Sequence, residues 1–164
     1  MKYLLIPALL LSAAIGYSQN PLDYPEPSPQ LRSDSSLSRY SEQEVVTIGD
    51  TYIYLRMTMR PLDGIVYRNW MHGGLLSECA YRSGLLYGAC KKWYKSGQLK
   101  QEGSYINGEK DGVWREWHQN GQLSTEEIYT NGKKNGLCRL WFDNGELWDE
   151  ETYENGKLVP TITE

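Results

Sequence analysis

The chain has 164 residues, one domain's worth at most, with 17 Lys and Arg against 21 Asp and Glu for a net charge of −4. That balance excludes a sequence-blind nucleic-acid binder, which needs a basic stripe to release counterions, and a polybasic membrane-surface protein. Sixteen glycines and 13 tyrosines, with six tryptophans and the single Phe142, exclude a wholly disordered chain and predict short strands, turns and half-buried rings.

At the N-terminus Lys2 precedes the uncharged run Tyr3–Ile15, and Gly16-Tyr17-Ser18 follows. A basic start, a short apolar run and small residues at the cut predict a secretory signal peptide over residues 1–18. The run is shorter than the about 20 residues a spanning helix needs, and no later segment reads as a membrane span. No cysteine lies near the cut, which argues against a lipoprotein anchor. Export follows, to the periplasm, the outer membrane's vicinity or the medium. Residues 19–44 hold Pro21, Pro25, Pro27 and Pro29, then Ser33, Ser35, Ser36 and Ser38, and read as a disordered tether. Residues 45–60 read as a capping β-hairpin turning at Gly49-Asp50. Ile53, Leu55, Met57 and Met59 alternate there with Tyr52, Tyr54, Arg56 and Thr58, as in a half-buried strand.

From 61 to 158 a 24-residue repeat organises the chain. Tyr81, Tyr105, Tyr129 and Tyr153 keep that spacing, as do Gly84, Gly108, Gly132 and Gly156. Trp93, Trp117 and Trp141 follow, with Gly97, Gly121 and Gly145 and then Leu99, Leu123 and Leu147. An eroded earlier copy keeps Gly64, Gly73 and Leu75, with Trp70 one place out of phase with the tryptophans. Asn-Gly at 107–108, 120–121, 131–132, 144–145 and 155–156 signals type I′ hairpin turns, where both central residues take φ > 0. Leu123, Thr125, Glu127 and Tyr129 are placed on one strand face, and Leu147, Asp149, Glu151 and Tyr153 on another. Trp114 and Trp117, three apart, require a twist or bulge if both are to bury. The predicted fold is all-β: an antiparallel meander of hairpins stacked into an elongated twisted sheet or open solenoid, ending in a tail over 159–164.

The unit running from Tyr105-Ile-Asn-Gly-Glu-Lys-Asp-Gly-Val-Trp to Leu123, and its copy from Tyr129 to Leu147, resemble the bacterial variant of the MORN repeat. The resemblance implies a twisted antiparallel sheet of successive hairpins, serving as a scaffold or interaction module. It also implies a family with secreted, envelope and antitoxin-labelled members, and it supplies no catalytic residue.

Residues suited to chemistry are sparse. His72 and His118 are the two histidines, no C-x-x-C or H-x-x-x-H occurs, and no metal or cofactor is expected. His118 takes the repeat slot of Tyr94 and Phe142 and reads as a packing aromatic. No G-x-S-x-G is present, and Cys79 with His72 has no third group to orient it, so no enzyme is expected. Cys90 and Cys138 share a slot two units apart, about 19 Å at about 4.8 Å per strand, too far for a disulfide. Cys79 and Cys90 flank one turn and are the expected bridge, leaving Cys138 a buried thiol. Asp143, Glu146, Asp149, Glu150, Glu151 and Glu154 read as a solvated edge; a docking face for a basic partner or loose calcium binding is the other reading. Trp93, Trp117 and Trp141, with Tyr105, Tyr129 and Tyr153, form a ladder that is either core or a binding face for glycan or peptide. The functional expectation is an exported, non-enzymatic scaffold whose partner is an envelope protein; the alternative is a cell-wall glycan-binding module using that ladder.

Overall fold

The computed structural model describes residues 37–49 and 51–160. The expected signal peptide, most of the tether and residues 161–164 lie outside this range. Within it the chain forms β1 (Arg39–Ser41), a 3-10 turn (Glu42–Glu44), β2 (Val45–Ile48), β3 (Tyr52–Leu55), β4 (Gly64–Asn69), β5 (Leu75–Arg82) and β6 (Leu85–Trp93). Then come β7 (Leu99–Ile106), β8 (Glu109–Trp117), β9 (Leu123–Thr130), β10 (Lys133–Lys134), β11 (Gly136–Trp141), β12 (Leu147–Glu154) and β13 (Lys157–Val159). No α-helix occurs among the described residues. The strands make one open sheet in the order β1-β4-β5-β6-β7-β8-β9-β11-β12-β13, with β10 also on β9, and a separate pair β2-β3. Every pairing is antiparallel except β1 on β4.

Two kinds of turn alternate along this meander. At Ser83-Gly84, Asn107-Gly108, Asn131-Gly132 and Asn155-Gly156 both residues have positive φ, which is the type I′ hairpin geometry. The Asn-Gly pairs at 120–121 and 144–145 differ from the expectation, because there only the glycine is left-handed. At these ends the Tyr94, His118 and Phe142 carbonyls accept from Gly97, Gly121 and Gly145 N–H at 2.9–3.0 Å. The Tyr94, His118 and Phe142 N–H groups in turn donate to the Gln98, Gln122 and Glu146 carbonyls at 2.8–2.9 Å. That is a type I turn closed by a left-handed glycine, the three-residue hairpin loop. Trp70 makes the same pair of bonds with Gly73 and Gly74. It therefore belongs to the Tyr94–His118–Phe142 slot, 24 residues earlier, and is not a displaced member of the Trp93 slot.

Each three-residue loop is followed by a register shift, so Trp93, Trp117 and Trp141 pair with Leu99, Leu123 and Leu147 one step out of phase with the rest of the strand. The extra residue reverses side-chain parity. Leu123 and Leu147 are thereby moved to the opposite face from Tyr129 and Tyr153, contrary to the simple alternation. Trp114 and Trp117 also take opposite faces, since no bulge falls between them within β8.

The apolar core lies at the N-terminal end. Val45, Ile53, Leu62 and Val66 are buried together, with Tyr40, Leu55 and Tyr81 against them. The β2–β3 hairpin covers one face of the large sheet there and is fixed by backbone bonds from Ile53 N–H to Gly84 O (2.8 Å) and Leu62 N–H to Ile53 O (3.0 Å). It does not cap the sheet by edge pairing as expected. β1 does so, and residues 39–44 are strand and turn where tether was expected. β3 also stops at Leu55: Met57 and Met59 are exposed, and Met59 has φ +51°.

Candidate functional site

Antiparallel register sorts the repeat side chains onto two faces. The first carries Tyr81, Tyr105, Tyr129 and Tyr153 together with the paired positions Val66/Cys79, Cys90/Gly103, Trp114/Glu127 and Cys138/Glu151. The second carries Trp93, Trp117 and Trp141 with Leu99, Leu123 and Leu147, and beside them a row of charged pairs. The expected single ladder of tryptophans and tyrosines is thus two rows on opposite faces. All six rings are half-buried.

On the tyrosine face the buried spine runs through Val66, Cys90, Trp114 and Cys138. Cys79 and Cys90 lie directly opposite across β5 and β6, with Cα atoms 4.0 Å apart, and form a disulfide. Cys138 is free and fully buried. Trp114 is 2% exposed; its indole lies over Gly103, where any Cβ would collide with it. Its Nε1–H donates to Ser104 O at 3.1 Å, and its ring meets Tyr105 edge-on at 4.9 Å. Lys110 Nζ sits 4.3 Å from the Trp114 ring centre and 4.7 Å from that of Tyr129. Lys134 Nζ sits 5.0 Å from the ring centre of Tyr153 and 2.6 Å from the Glu127 carboxylate. Tyr129 and Tyr153 donate their hydroxyls to Glu127 and Glu151 at 2.8 and 2.7 Å.

These contacts shift protonation. Burial and then the bond to Glu127 push the Tyr129 phenol well above its ordinary range. Burial pushes the Glu127 carboxyl up, but hydrogen bonds from Lys134 and Tyr129 outweigh it and hold the group below the carboxylate range. The bond to Glu127 raises Lys134 in turn. These groups form a closed, satisfied network that leaves no poised acid or base.

On the tryptophan face, Glu78, Glu102, Glu126 and Glu150 recur at the repeat spacing. They pair with Arg39 (2.6 Å), Lys91 (3.5 Å), Arg115 (2.8 Å) and Arg139 (2.7 Å). Beside this row a small depression is lined by Ile65, Glu78, Ala80, Ala89 and Lys91. Sequence reasoning missed the glutamate row, and it named Trp114 for burial without finding that it centres the buried spine. The glutamates were detectable by the same period; the role of Trp114 was not, because its slot holds valine or cysteine in the other copies.

Polar groups at the turns tie one repeat to the next. Tyr94 Oη donates to Trp117 O at 2.7 Å, and His118 Nε2 lies 2.9 Å from Trp141 O, each bridging to the following unit. At the other ends, the Ser83, Asn131 and Asn155 N–H groups donate to Asp63, Asp111 and Asn135 side chains, each 20 residues earlier. His72 meets no such partner, and no group of three His, Cys, Asp or Glu side chains is placed to hold a metal among the described residues.

An open sheet extended hairpin by hairpin at a fixed period is a repeat-protein architecture. Residues 86–107, 110–132 and 134–155 match the family model described as MORN repeat variant. Each match opens at or next to the residue whose carbonyl accepts from the next type I′ glycine: Leu86 from Gly108, Lys110 from Gly132, Lys134 from Gly156. No curated protein and no solved structure matches the chain.

Proposed function

We propose that this is an exported, non-enzymatic repeat protein that acts as a protein–protein interaction scaffold in the bacterial envelope. The observation that carries the reading is the tryptophan face. It repeats a Trp–Leu pair beside a self-neutralised ion row at each unit. Such a surface offers aromatic anchors at regular intervals with little net charge to discourage a partner. Repeats of the MORN kind generally mediate protein or membrane interactions. The leader pattern of residues 1–18 and the Cys79–Cys90 pairing support an oxidising compartment outside the cytoplasm. No helix among the described residues is long and apolar enough to cross a membrane.

One observation favours a second reading, a glycan-binding module. The rings of Tyr129 and Tyr153 are covered by the chain's own lysines, whereas among the described residues no lysine or arginine lies over the Trp93, Trp117 and Trp141 rings, and two strands separate each from the next, about 10 Å. Those tryptophans, not the tyrosines, are then the stacking platforms. Immobilised protein, washed with envelope extract and analysed for both protein and sugar, separates the readings. Stoichiometric retention of one or two proteins, lost in Trp117→Ala, supports the scaffold; retention of polysaccharide alone replaces it with the glycan reading.

A further inference from the structure

The C-terminal edge of the sheet combines charge with exposed apolar side chains. β13 pairs only with Thr152–Glu154, so among the described residues nothing pairs with the outer side of Leu147–Glu151. The Glu150 N–H, which points outward by the hairpin register, is satisfied by the Asp149 side chain at 2.9 Å and not by a strand. Charge or proline usually blunts such an edge. Here Asp149, Glu150 and Glu151 supply charge, but exposed apolar groups stand beside them: Trp148 is 63% exposed, Leu147 51% and Phe142 47%. Trp148 takes the slot of Lys100 and Ser124 in the two preceding repeats. Phe142 takes the slot of Tyr94 and His118, and it lies against Trp148 with ring centres 5.7 Å apart. Around this patch Asp143, Glu146, Asp149, Glu151 and Glu154 have no ion-pair partner among the described residues, while Glu150 pairs with Arg139.

We propose that the outer edge of β12 is a strand-addition site for an extended segment of another protein in which apolar residues alternate with Lys or Arg. Main-chain bonds to the Leu147–Glu151 edge supply affinity, and alternate side chains supply specificity. The apolar ones cover Leu147, Trp148 and Phe142; the basic ones meet the unpaired carboxylates. A second copy of this chain is a poor occupant, because two such edges bring like charges together. The inference rests on the scaffold reading and names one partner class for it.

The test uses the purified chain, labelled for NMR, and a synthetic peptide of alternating valine and lysine. Saturating peptide slows exchange of the Glu150 amide about tenfold or more, and a valine–glutamate peptide leaves it unchanged. Trp148→Ser, the residue found at 124, weakens the valine–lysine peptide about tenfold, as loss of an aromatic anchor should. Unchanged Glu150 exchange with the basic peptide, or equal protection by the acidic one, overturns the proposal. So does protection that grows with protein concentration alone, which assigns the edge to a second copy. Protection in the free chain that disappears in a variant ending at Pro160 assigns it to residues 161–164 and overturns it too. If the peptide fails while the immobilised chain still retains a protein through Trp117, the edge proposal falls and the scaffold reading stands.

Discussion

Trp114 is the residue on which the middle of the sheet depends. Its ring replaces a second layer: it lies over Gly103 and carries Lys110 and Tyr105 against its own face and edge. Trp114→Ala is expected to cost about 3–5 kcal/mol, the usual effect of removing a buried aromatic. Trp117→Ala, on the half-buried opposite row, is expected to cost less than half of that. Urea denaturation of the two variants gives the comparison directly. The Glu127–Lys134–Tyr129 cluster sets the pH dependence. Glu127 is depressed in the folded state, so its stabilisation is present above its unfolded value of about 4.3 and lost as pH falls through the lower folded value. Lys134 and Tyr129 are raised, so theirs is present below their unfolded values, about 10, and lost as pH rises through the folded ones. The urea midpoint is expected to fall on both sides of this window, and Glu127→Gln should shrink the loss on the acid side.

At the scale of the element, two turn chemistries divide the work of returning the chain. Lys95 is the second residue of a type I turn and has negative φ, where proline is well tolerated. Asn107 has φ +51°, which proline cannot adopt. Lys95→Pro is expected to leave stability unchanged or raise it by up to about 1 kcal/mol, whereas Asn107→Pro should disrupt the β7–β8 hairpin. Thermal melts distinguish them, and equal effects would mean the two turns are of one kind. The hairpins themselves were legible in the sequence, because a left-handed residue demands glycine or asparagine locally and the demand recurs every 24 residues. The division into two turn types was not, since Asn-Gly at 107–108 and at 120–121 reads identically until the register of the flanking strands is known.

Across the whole molecule, each hairpin is held only by its neighbours, so stability should be graded along the array. The N-terminal end has the Val45–Ile53–Leu62–Val66 cluster and the Cys79–Cys90 bridge; β12 and β13 are largely exposed. Native-state hydrogen exchange is expected to be fastest in β12–β13 and slowest across β4–β8. Reducing the bridge, which closes a loop of sequence separation 11, should cost about 2–3 kcal/mol on the loop-entropy argument. It should speed exchange in β5 and β6 while leaving β12 unchanged. Uniform exchange along the chain would contradict a nearest-neighbour array.

The sequence by itself determined the period, the strands of the repeats, their turn positions and the all-β meander, because each follows from backbone demands confined to a few consecutive residues. Only the tertiary structure decided which face each ring occupies. One bulged residue per repeat reverses parity between Trp117 and Leu123 on one side and Thr125, Glu127 and Tyr129 on the other, and no local pattern announces it. The parallel strand Arg39–Ser41 and the placement of the β2–β3 hairpin over a face are of the same kind. Each depends on a pairing between segments far apart in the chain, where the free energy comes from burial and backbone bonds formed only after the sheet exists.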